Sequence, residues 1–586
     1  MLSVLIAAVL TLPAGYVDDS LCADCHRELA ASYKHVGMSQ AFFKPRASNL
    51  IEEFSAPPYF HAKSNQYFEM RRRGDAVVFR RYQLTADRKQ VNVFEQTVDW
   101  ILGSGHHART YLYATPGGEL YQLPISWYTQ IRAWRMAPGY DRADHDGVTR
   151  RVRHECMFCH NAYAGVAKSS ESYWRPQTFP RELPEGIGCQ RCHGPGARHA
   201  AIAVTGDLEK TKSSIVNPSR LDARRRMDVC YECHMQPAVA LFGVRRFGRD
   251  IYSFRPGQLL ADYAPPIDTD EKDRFEINHH PYRLEQSRCF RESAGKLTCL
   301  TCHNPHRKVA EKDRAAHYRA ACMTCHATPH SGAAGSQPAE KGGGAESRRA
   351  ESPPLHFLDC VTCHMPKRRT QDVVHVAMTD HLIQRKAAAN LLAPLEERDP
   401  HPTRVEFLYP DSAPGGELLK LVPFVRAHGG ANAEEVRRLE RLIAEVQPGE
   451  IEPYLDLAAG LLRQKRYADL EKTAQSILDR APNHPLALEW LGIARTAQTG
   501  NRGEAIRLIE ESLRRDPTRA EGEFNLGLFL AGDGRMGDAI VHYQRALALR
   551  PNFAAAWVRL AAAQRATGDE AGAVESDRRA KAITSR

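Results

Sequence analysis

Residues 189–199 read Cys-Gln-Arg-Cys-His-Gly-Pro-Gly-Ala-Arg-His, and residues 299–306 read Cys-Leu-Thr-Cys-His-Asn-Pro-His. Both open with Cys-x-x-Cys-His, a pattern that occurs seven times in the 586 residues and uses fourteen of the fifteen cysteines. In chain order, motifs 1 to 7 are Cys22/Cys25/His26, Cys156/Cys159/His160, Cys189/Cys192/His193, Cys230/Cys233/His234, Cys299/Cys302/His303, Cys322/Cys325/His326 and Cys360/Cys363/His364. Seven copies indicate a repeated cofactor site rather than a disulfide framework.

The spacing within each motif suits the covalent attachment of haem. Two thiols add to the two vinyl groups of the porphyrin, and two intervening residues bridge the distance between those groups. The histidine that follows lies under the iron as its proximal ligand. Zinc knuckles do not require a histidine after each cysteine pair, and a redox dithiol needs one copy rather than seven. We therefore predict seven c-type haems, bound by the fourteen motif cysteines and seven motif histidines.

The supply of further histidines allows a second axial ligand on every iron. Residues 1–433 contain 24 of the 26 histidines, and seventeen of these lie outside the motifs. Bis-histidine ligation favours electron transfer over substrate binding. His199 and His306 closely follow a motif and are the first distal candidates, with His107 and His381 next. Further candidates are Met38, His35, His61, His145, His154, His280, His317, His356 and His375. Each of these further candidates could equally be a surface or hydrogen-bonding residue.

Cys289 is the cysteine outside the motifs, ten residues before Cys299. Free cysteines are most often small buried hydrophobic residues, and we expect that role here. A reactive thiol or an unusual haem ligand is the functional alternative.

The net charge of +10 lies entirely in residues 1–433, because the residues from Glu434 onward contain 23 basic and 23 acidic side chains. A basic surface can bind nucleic acid, but the propionates of seven haems are a better match because arginine pairs with carboxylates. We therefore expect no nucleic-acid partner. The basic clusters are either propionate partners or a solvated face: Arg71–Arg73, Arg150/Arg151/Arg153, Arg224–Arg226 and Lys367–Arg369.

Residues 1–15 form the predicted signal peptide or N-terminal anchor. An apolar run from Leu2 to Leu12 precedes Ala14 and Gly15, which resembles a secretory leader, although no Lys or Arg comes before it. Mean hydropathy is −0.48, and no other apolar run approaches membrane length, so a polytopic membrane protein is excluded. We expect a periplasmic or otherwise extracytoplasmic protein, with membrane association through the N-terminus only.

Residues 16–385 form the predicted heptahaem domain, and the fold class is mainly α. Strand-like segments flank Gly74-Asp75 as in a hairpin, so a small antiparallel β insertion is expected at about 60–125. Residues 331–354 are rich in Gly, Ala, Ser and Glu and favour a flexible loop. Residues 386–433 contain scattered Pro and Gly and are expected to be a linker that partly docks.

Residues 434–586 are expected to form an α-solenoid. Pro482, Pro517 and Pro551 are spaced by 35 and 34 residues, and Ala505, Ala539 and Ala573 by 34. This period is typical of tetratricopeptide repeats. It predicts units near 451–484, 485–519, 520–553 and 554–586, capped by a helix at 432–446. Such repeats form a groove for a peptide or partner protein. Because the region holds no haem motif, we expect it to be removable without loss of haem.

The first 385 residues resemble the multihaem cytochrome c group that includes cytochrome c-554, pentahaem nitrite reductase and octahaem oxidoreductases. The resemblance rests on the stretches at 189–196 and 299–306 and on Cys-Val-Thr-Cys-His-Met-Pro at 360–366. The whole chain resembles tetratricopeptide-fused multihaem cytochromes. It lacks the Cys-x-x-Cys-Lys motif of the nitrite reductases, and its seven motifs differ from the eight haems of the hydroxylamine-oxidising relatives. Neither activity therefore carries over.

Three functions compete. The first is an electron-transfer protein whose repeats dock a redox partner protein, a peptide segment, or both. The second is an oxidoreductase in which one haem binds a small nitrogen or sulfur compound, with residues 106–111 (His-His-Ala-Arg-Thr-Tyr) and Cys289 as pocket candidates. The third is an assembly scaffold in which the haems are auxiliary.

Overall fold

The computed structural model describes residues 14–163, 165, 172–236, 244–269, 271, 273–326, 359–397, 404–410 and 415–585. Residues 1–13 of the expected leader, the expected loop 331–354, His356 and His401 lie outside the described residues. Within the described residues, no helix combines the length and apolar character that a membrane crossing requires.

Antiparallel β-sheets occupy residues 42–151. The strands are β1 (Phe42–Phe43), β2 (Tyr59–His61), β3 (Gln66–Arg73), β4 (Ala76–Leu84), β5 (Gln90–Thr97), β6 (Trp100–Leu102), β7 (Ala108–Ala114), β8 (Leu120–Tyr128), β9 (Ala133–Met136) and β10 (Arg150–Arg151). One sheet has the order β2-β3-β4-β5, and the other has the order β1-β6-β7-β8-β10 with β9 paired to β8. At the predicted hairpin, Gly74 has a φ of +61°, which glycine adopts without strain. The predicted antiparallel β structure is confirmed, and its strands extend beyond 60–125.

The helices of residues 14–397 are short. They are α1 (Asp19–Cys25), α2 (Arg27–Tyr33), α3 (His154–His160), α4 (Gln190–His193), α5 (Ala197–Ala203), α6 (Leu208–Ser213), α7 (Ala223–His234), α8 (His280–Glu285), α9 (Arg288–Glu292), α10 (Cys299–Cys302), α11 (Arg314–Met323) and α12 (Cys360–His364). Of these twelve described helices, eight bury no residue at all: α1, α2, α5, α6, α9, α10, α11 and α12. Side-chain burial therefore does not explain how these helices are held together.

Two short sheets complete this region. Strand β11 (Ile267–Thr269) pairs with β14 (Val405–Phe407), and β12 (Lys367–Arg369) pairs with β13 (Ala377–Thr379). The segment expected to be a linker contains β14 and also α13 (Gly416–Ala427), whose Leu418 and Val422 share a core with the first repeats. These two side chains pack against the repeats.

The C-terminal region is a series of helix pairs, so the predicted helical repeats are confirmed. After α14 (Ala433–Val446), the pairs are α15 (Glu452–Arg463) with α16 (Tyr467–Arg480), α17 (Pro485–Thr499) with α18 (Arg502–Arg515), α19 (Ala520–Gly532) with α20 (Met536–Leu549), and α21 (Ala554–Ala566) with α22 (Glu570–Thr584). A Cβ on Gly527 would lie 2.6 Å from the ring of Tyr543. Only glycine therefore permits the close crossing of α19 and α20.

The repeats pack against the β-sheets through a cluster of charged side chains, two of which are buried. Arg550 Nε lies 2.9 and 2.8 Å from the two carboxylate oxygens of Glu119, and Arg550 Nη2 lies 2.7 Å from Glu521. Arg151 also pairs with Glu521, at 2.6 Å. Arg550 and Glu119 are each 3% exposed. We call these four residues the interdomain charge cluster.

A loop of the haem-motif region also reaches the repeats. Trp174 Nε1 donates to Asp456 at 2.6 Å, and Arg175 pairs with Asp516. Asp456 is fully buried, so its carboxylate relies on Trp174 and on Arg426, 2.8 Å away. The repeat region thus contacts the haem-motif region through first helices and the turns before them. It contacts the β-sheets through α22 and the residue after it as well, where Arg81 donates to Ser585 Oγ at 3.0 Å. Contrary to the sequence-based expectation, we expect removal of the repeats to leave buried charges without partners.

Candidate haem-binding sites

Every motif lies on or at the end of a short helix, which places its three side chains together. In four motifs the backbone N–H of the histidine donates to the backbone carbonyl of the first cysteine, at 2.9 to 3.1 Å. This is the spacing of one helical turn. Positions i, i+3 and i+4 then share one helix face. Both cysteines and the histidine can therefore approach the same porphyrin.

Three motif histidines face a second histidine ring. The ring centres of His26 and His199 are 6.3 Å apart with 12° between their planes. His193 faces His306 at 5.8 Å and 18°. His303 faces His381 at 6.2 Å and 31°. Two metal–nitrogen bonds of about 2 Å, with roughly 1.1 Å from each nitrogen to its ring centre, place two imidazoles on one ion about 6 Å apart. These three pairs therefore fit an iron between them.

Backbone carbonyls orient several of these rings through Nδ1, which leaves Nε2 free to face a metal. Metal-ligating histidines commonly donate their other ring N–H in this way. The contacts are His193 with Val216 at 2.8 Å, His364 with Gln384 at 2.8 Å, His199 with Thr211 at 3.1 Å, and His381 with Thr379 at 3.1 Å.

The facing rings follow a regular order along the chain. The imidazole opposite motif 1 comes from the residues after motif 3, that opposite motif 3 from the residues after motif 5, and that opposite motif 5 from the residues after motif 7. Motifs 1, 3 and 5 thereby each contact the segment that follows the next odd-numbered motif.

Thiols of different motifs also lie in contact. The pairs are Cys22 with Cys189, Cys159 with Cys233, Cys230 with Cys299, and Cys322 with Cys360. The Sγ atoms of the first pair lie within 4.8 Å of each other. Together with the facing rings, these contacts join all seven motifs into one continuous network.

Motifs 2, 3 and 4 meet at a buried ion pair that sequence reasoning missed. Arg191, between the cysteines of motif 3, lies 3.2 Å from Glu232, between the cysteines of motif 4. Arg191 also donates to the carbonyl of Phe158, within motif 2, at 3.0 Å. The two charged side chains are each 3% exposed. Their opposite charges inside Cys-x-x-Cys motifs were the available clue.

The remaining distal candidates lie in varied surroundings. His280 stacks on His381 with ring centres 4.4 Å apart, and burial lowers its pKa well below the usual value, with His381 and His234 adding to the effect. His107 Nδ1 is 3.1 Å from the Gln130 amide. His61 has both nitrogens engaged, by Ser64 at 2.7 Å and Asp141 at 3.1 Å.

Other candidates make contacts of ordinary side chains. His375 lies edge-on to Tyr128 at 4.9 Å, and His154 lies edge-on to Phe179 at 4.7 Å. His145 is buried beside His61, and His317 donates to the Cys302 carbonyl at 3.0 Å. His35 is exposed. Met38 is partly buried, and its carbonyl accepts from Ile187. Cys289 is partly buried near Cys302, Cys322 and Cys325.

Substituting His199 or His306 by alanine is expected to open one iron. The reason is that each ring is the one facing a motif histidine. A high-spin ferric signal should appear in the EPR spectrum, and carbon monoxide should bind more readily, with the covalent haem count unchanged. His428→Ala is the control, because His428 is far from every motif in sequence and its ring contacts Glu435 of α14, at 2.8 Å. Low-spin spectra in both variants would remove these residues from the ligand set.

Comparisons with known proteins give one weak similarity to a cytochrome. Multiheme cytochrome MtrA of Shewanella baltica (strain OS185) is 22% identical over 186 residues, which are 29% of this chain and 52% of MtrA. The chain thus spans about half the length of this curated relative. No protein-family model matches the chain. The matched 29% of the chain is therefore similar to part of a multihaem cytochrome, and no family is assigned to the chain.

Solved structures of MamA resemble somewhat less than a third of the chain, and only loosely. One MamA crystal structure is 18% identical, with a TM-score of 0.24 over 30% of this chain and 94% of MamA. MamA from Desulfovibrio magneticus RS-1 is 20% identical, with the same TM-score over 28% of this chain and 94% of that structure. Likenesses at this score carry no argument about function.

Proposed function

We propose that this chain is an extracytoplasmic multihaem c-type cytochrome that moves electrons among seven covalently bound haems. The three facing histidine pairs are the observation that carries the proposal, because their spacing matches two ligands on one iron. The haem supplies one-electron oxidation and reduction. Ligation of both axial positions favours electron transfer. The similarity to a multihaem cytochrome supports the same class.

The residues of this chain have separate tasks in the proposal. The fourteen motif cysteines would attach the haems, and one histidine of each motif would hold its iron: His26, His160, His193, His234, His303, His326 and His364. His199, His306 and His381 would supply a second ligand to three of them. Carbonyl groups at Val216 and Thr379 hold two of these rings in one orientation. The thiol contacts and facing rings bring the motifs close together, which short electron-transfer distances would require.

We assign the repeat region two roles. Its buried charges brace the haem-motif region, and its remaining surface serves to dock a redox partner protein or peptide. The proposed location is the periplasm or another extracytoplasmic compartment, where covalent haem attachment takes place in bacteria. Membrane association is assigned to residues 1–15.

The count of seven haems is tested by intact mass. The purified chain should exceed its processed polypeptide mass by seven haem groups, because each motif carries both attachment thiols. Pyridine haemochrome absorbance per chain should agree. Cys22→Ala with Cys25→Ala should lower the count by one, whereas Cys289→Ala should leave it at seven. A persistent shortfall with full maturation machinery would contradict the assignment.

An oxidoreductase acting on a small nitrogen or sulfur compound is the second candidate. One observation favours it: His26, His193 and His303 each lie opposite another imidazole, whereas no described ring contact pairs His160, His234 or His326 with one. Burial lowers the pKa of His160 to about 4, which keeps the imidazole neutral. A high-spin signal in the wild type that shifts on adding nitrite, hydroxylamine or sulfite would favour this candidate over a pure carrier.

A further inference from the structure

Residues of five motifs are exposed: Cys25 and His26 of motif 1, His234 of motif 4, His303 of motif 5, Cys325 and His326 of motif 6, and Cys363 of motif 7. In motifs 2 and 3, neither the cysteines nor the histidine are exposed. Electron carriers must approach a redox group closely. Two ends of the motif network are therefore candidate docking places: motif 1, and the group of motifs 5, 6 and 7, which has the most exposed motif residues.

The two ends carry opposite charges. Residues 18–28, around motif 1, contain four carboxylates and one cation. Residues 286–326, around motifs 5 and 6, contain eight cations and three carboxylates. Two of those three carboxylates are neutralised locally, Glu292 by Arg288 at 2.7 Å and Glu311 by Arg314 at 3.7 Å. The second end is therefore strongly basic.

Several cations at this end are exposed and take part in no ion pair among the residues that the structure describes. We call them the basic face: Arg291, Lys296, Arg307, Lys312, Arg385 and Lys386. Solvated cations without carboxylate partners keep their full field available to an approaching anionic surface.

Contacts between motifs bring these cations around one set of haem sites. Helix α11, which carries the first cysteine of motif 6, packs against α10 of motif 5 and α12 of motif 7, and His317 of α11 lies 3.0 Å from the Cys302 carbonyl. Arg291 and Lys296 lie between Cys289 and motif 5, and Arg307 and Lys312 lie between motifs 5 and 6. The remaining two cations follow Gln384, which exchanges two hydrogen bonds with His364 of motif 7.

We propose that the basic face around motifs 5, 6 and 7 is the docking surface for a redox protein with an acidic face. This inference rests on the proposed electron transfer and names the partner of the same sites. Complementary charge steers such encounters and raises the association rate. An anionic membrane fits less well, because no large apolar side chain is exposed in residues 286–326, and interfacial binding requires apolar insertion.

The test compares electron transfer to two carriers of opposite charge. The full chain is reduced with dithionite and mixed in a stopped-flow instrument with oxidised rubredoxin, a small acidic carrier, or with mitochondrial cytochrome c, a small basic carrier. The basic-face variant carries Arg307→Glu, Lys312→Glu, Arg385→Glu and Lys386→Glu. The matched control has the same charge change on exposed cations that lie outside both the basic face and the repeats: Arg88→Glu, Lys89→Glu, Arg132→Glu and Arg181→Glu.

In the wild type, the second-order rate constant for rubredoxin should fall steeply as salt is added. The basic-face variant should lose at least about tenfold of that rate at low ionic strength, together with most of the salt dependence. The control should stay close to wild type. Haem content and the dithionite reduction rate should be unchanged in both variants.

Three outcomes would overturn the inference. Equal losses in the basic-face and control variants would mean that net charge alone acts. Loss of haem in a milder glutamine variant of the same four positions would make these cations propionate partners. Binding of anionic vesicles without any change toward rubredoxin would assign the face to a membrane. A wild type that dithionite cannot reduce would instead contradict the proposed function itself.

Discussion

Replacing Arg550 with alanine is expected to lower the free energy of unfolding by about 3–5 kcal/mol, the usual effect of removing one member of a buried ion pair. Arg550 bonds both oxygens of Glu119 and also pairs with Glu521. Its loss leaves Glu119, 3% exposed, without a compensating charge. Urea denaturation followed by circular dichroism at 222 nm measures the change.

The control is Arg578→Ala, which breaks an exposed ion pair with Glu575 and should have little effect, since surface pairs contribute little. Equal effects of the two substitutions would show that the interdomain charge cluster is not a buried contact. A double variant with Glu119→Ala should be less destabilised than the sum of the singles, because both changes remove the same interaction.

The same cluster makes a prediction about acid. Burial raises the pKa of Glu521, but Arg550 and Arg151 outweigh it and lower the pKa to about 2, from an ordinary value of 4.5. A depressed carboxyl pKa stabilises the folded chain at pH above 4.5, and that contribution is lost as the pH falls toward 2. Glu521→Gln should therefore lessen the dependence of stability on pH within this window.

Replacing Glu232 with alanine is the second large effect. Arg191 would remain buried with no carboxylate at 3.2 Å, and the expected loss is again about 3–5 kcal/mol. The damage falls where motifs 2, 3 and 4 meet, since Arg191 also bonds the Phe158 carbonyl and stacks over its ring at 4.2 Å. We therefore expect lower haem occupancy at these three motifs as well as a lower urea midpoint.

Glu232→Gln keeps the shape and one hydrogen-bond acceptor, so it should lie between the wild type and the alanine variant. Glu292→Ala is the matched control, because it removes an exposed carboxylate beside a different motif. Haem content by pyridine haemochrome and stability by urea should both separate Glu232→Ala from this control. Identical behaviour would mean that the Arg191–Glu232 pair does not join the three motifs.

Local sequence patterns predicted the helical repeats well because each repeat is specified by contacts between the two helices of one pair. A small residue every 34 positions allows two helices to cross closely, and the contact between Gly527 and Tyr543 is a direct case. The hairpin at Gly74–Asp75 was predictable for the same reason, since a two-residue turn is specified by its own residues. Neither feature needs information from distant parts of the chain.

The packing of the repeats against the sheets was not predictable from sequence. Arg550 and Glu119 are separated by 431 positions, and an arginine in a repeat helix is ordinarily solvated. The segment 386–433 shows the same limit. Its scattered proline and glycine indicated a linker that partly docks but not which residues dock. Leu418 and Val422 are buried because they meet the first repeats.

By itself, the sequence determined the number and identity of the motif cysteines and histidines, because thioether spacing and the adjacent ligand are properties of five consecutive residues. It also determined the helical period of the C-terminal region. Only the tertiary structure decided which imidazole faces which motif, since His26 and His199 meet across 173 positions through folding of the intervening chain. It alone decided that Arg191 and Glu232 are buried together, because burial depends on what packs around a residue and not on the residue.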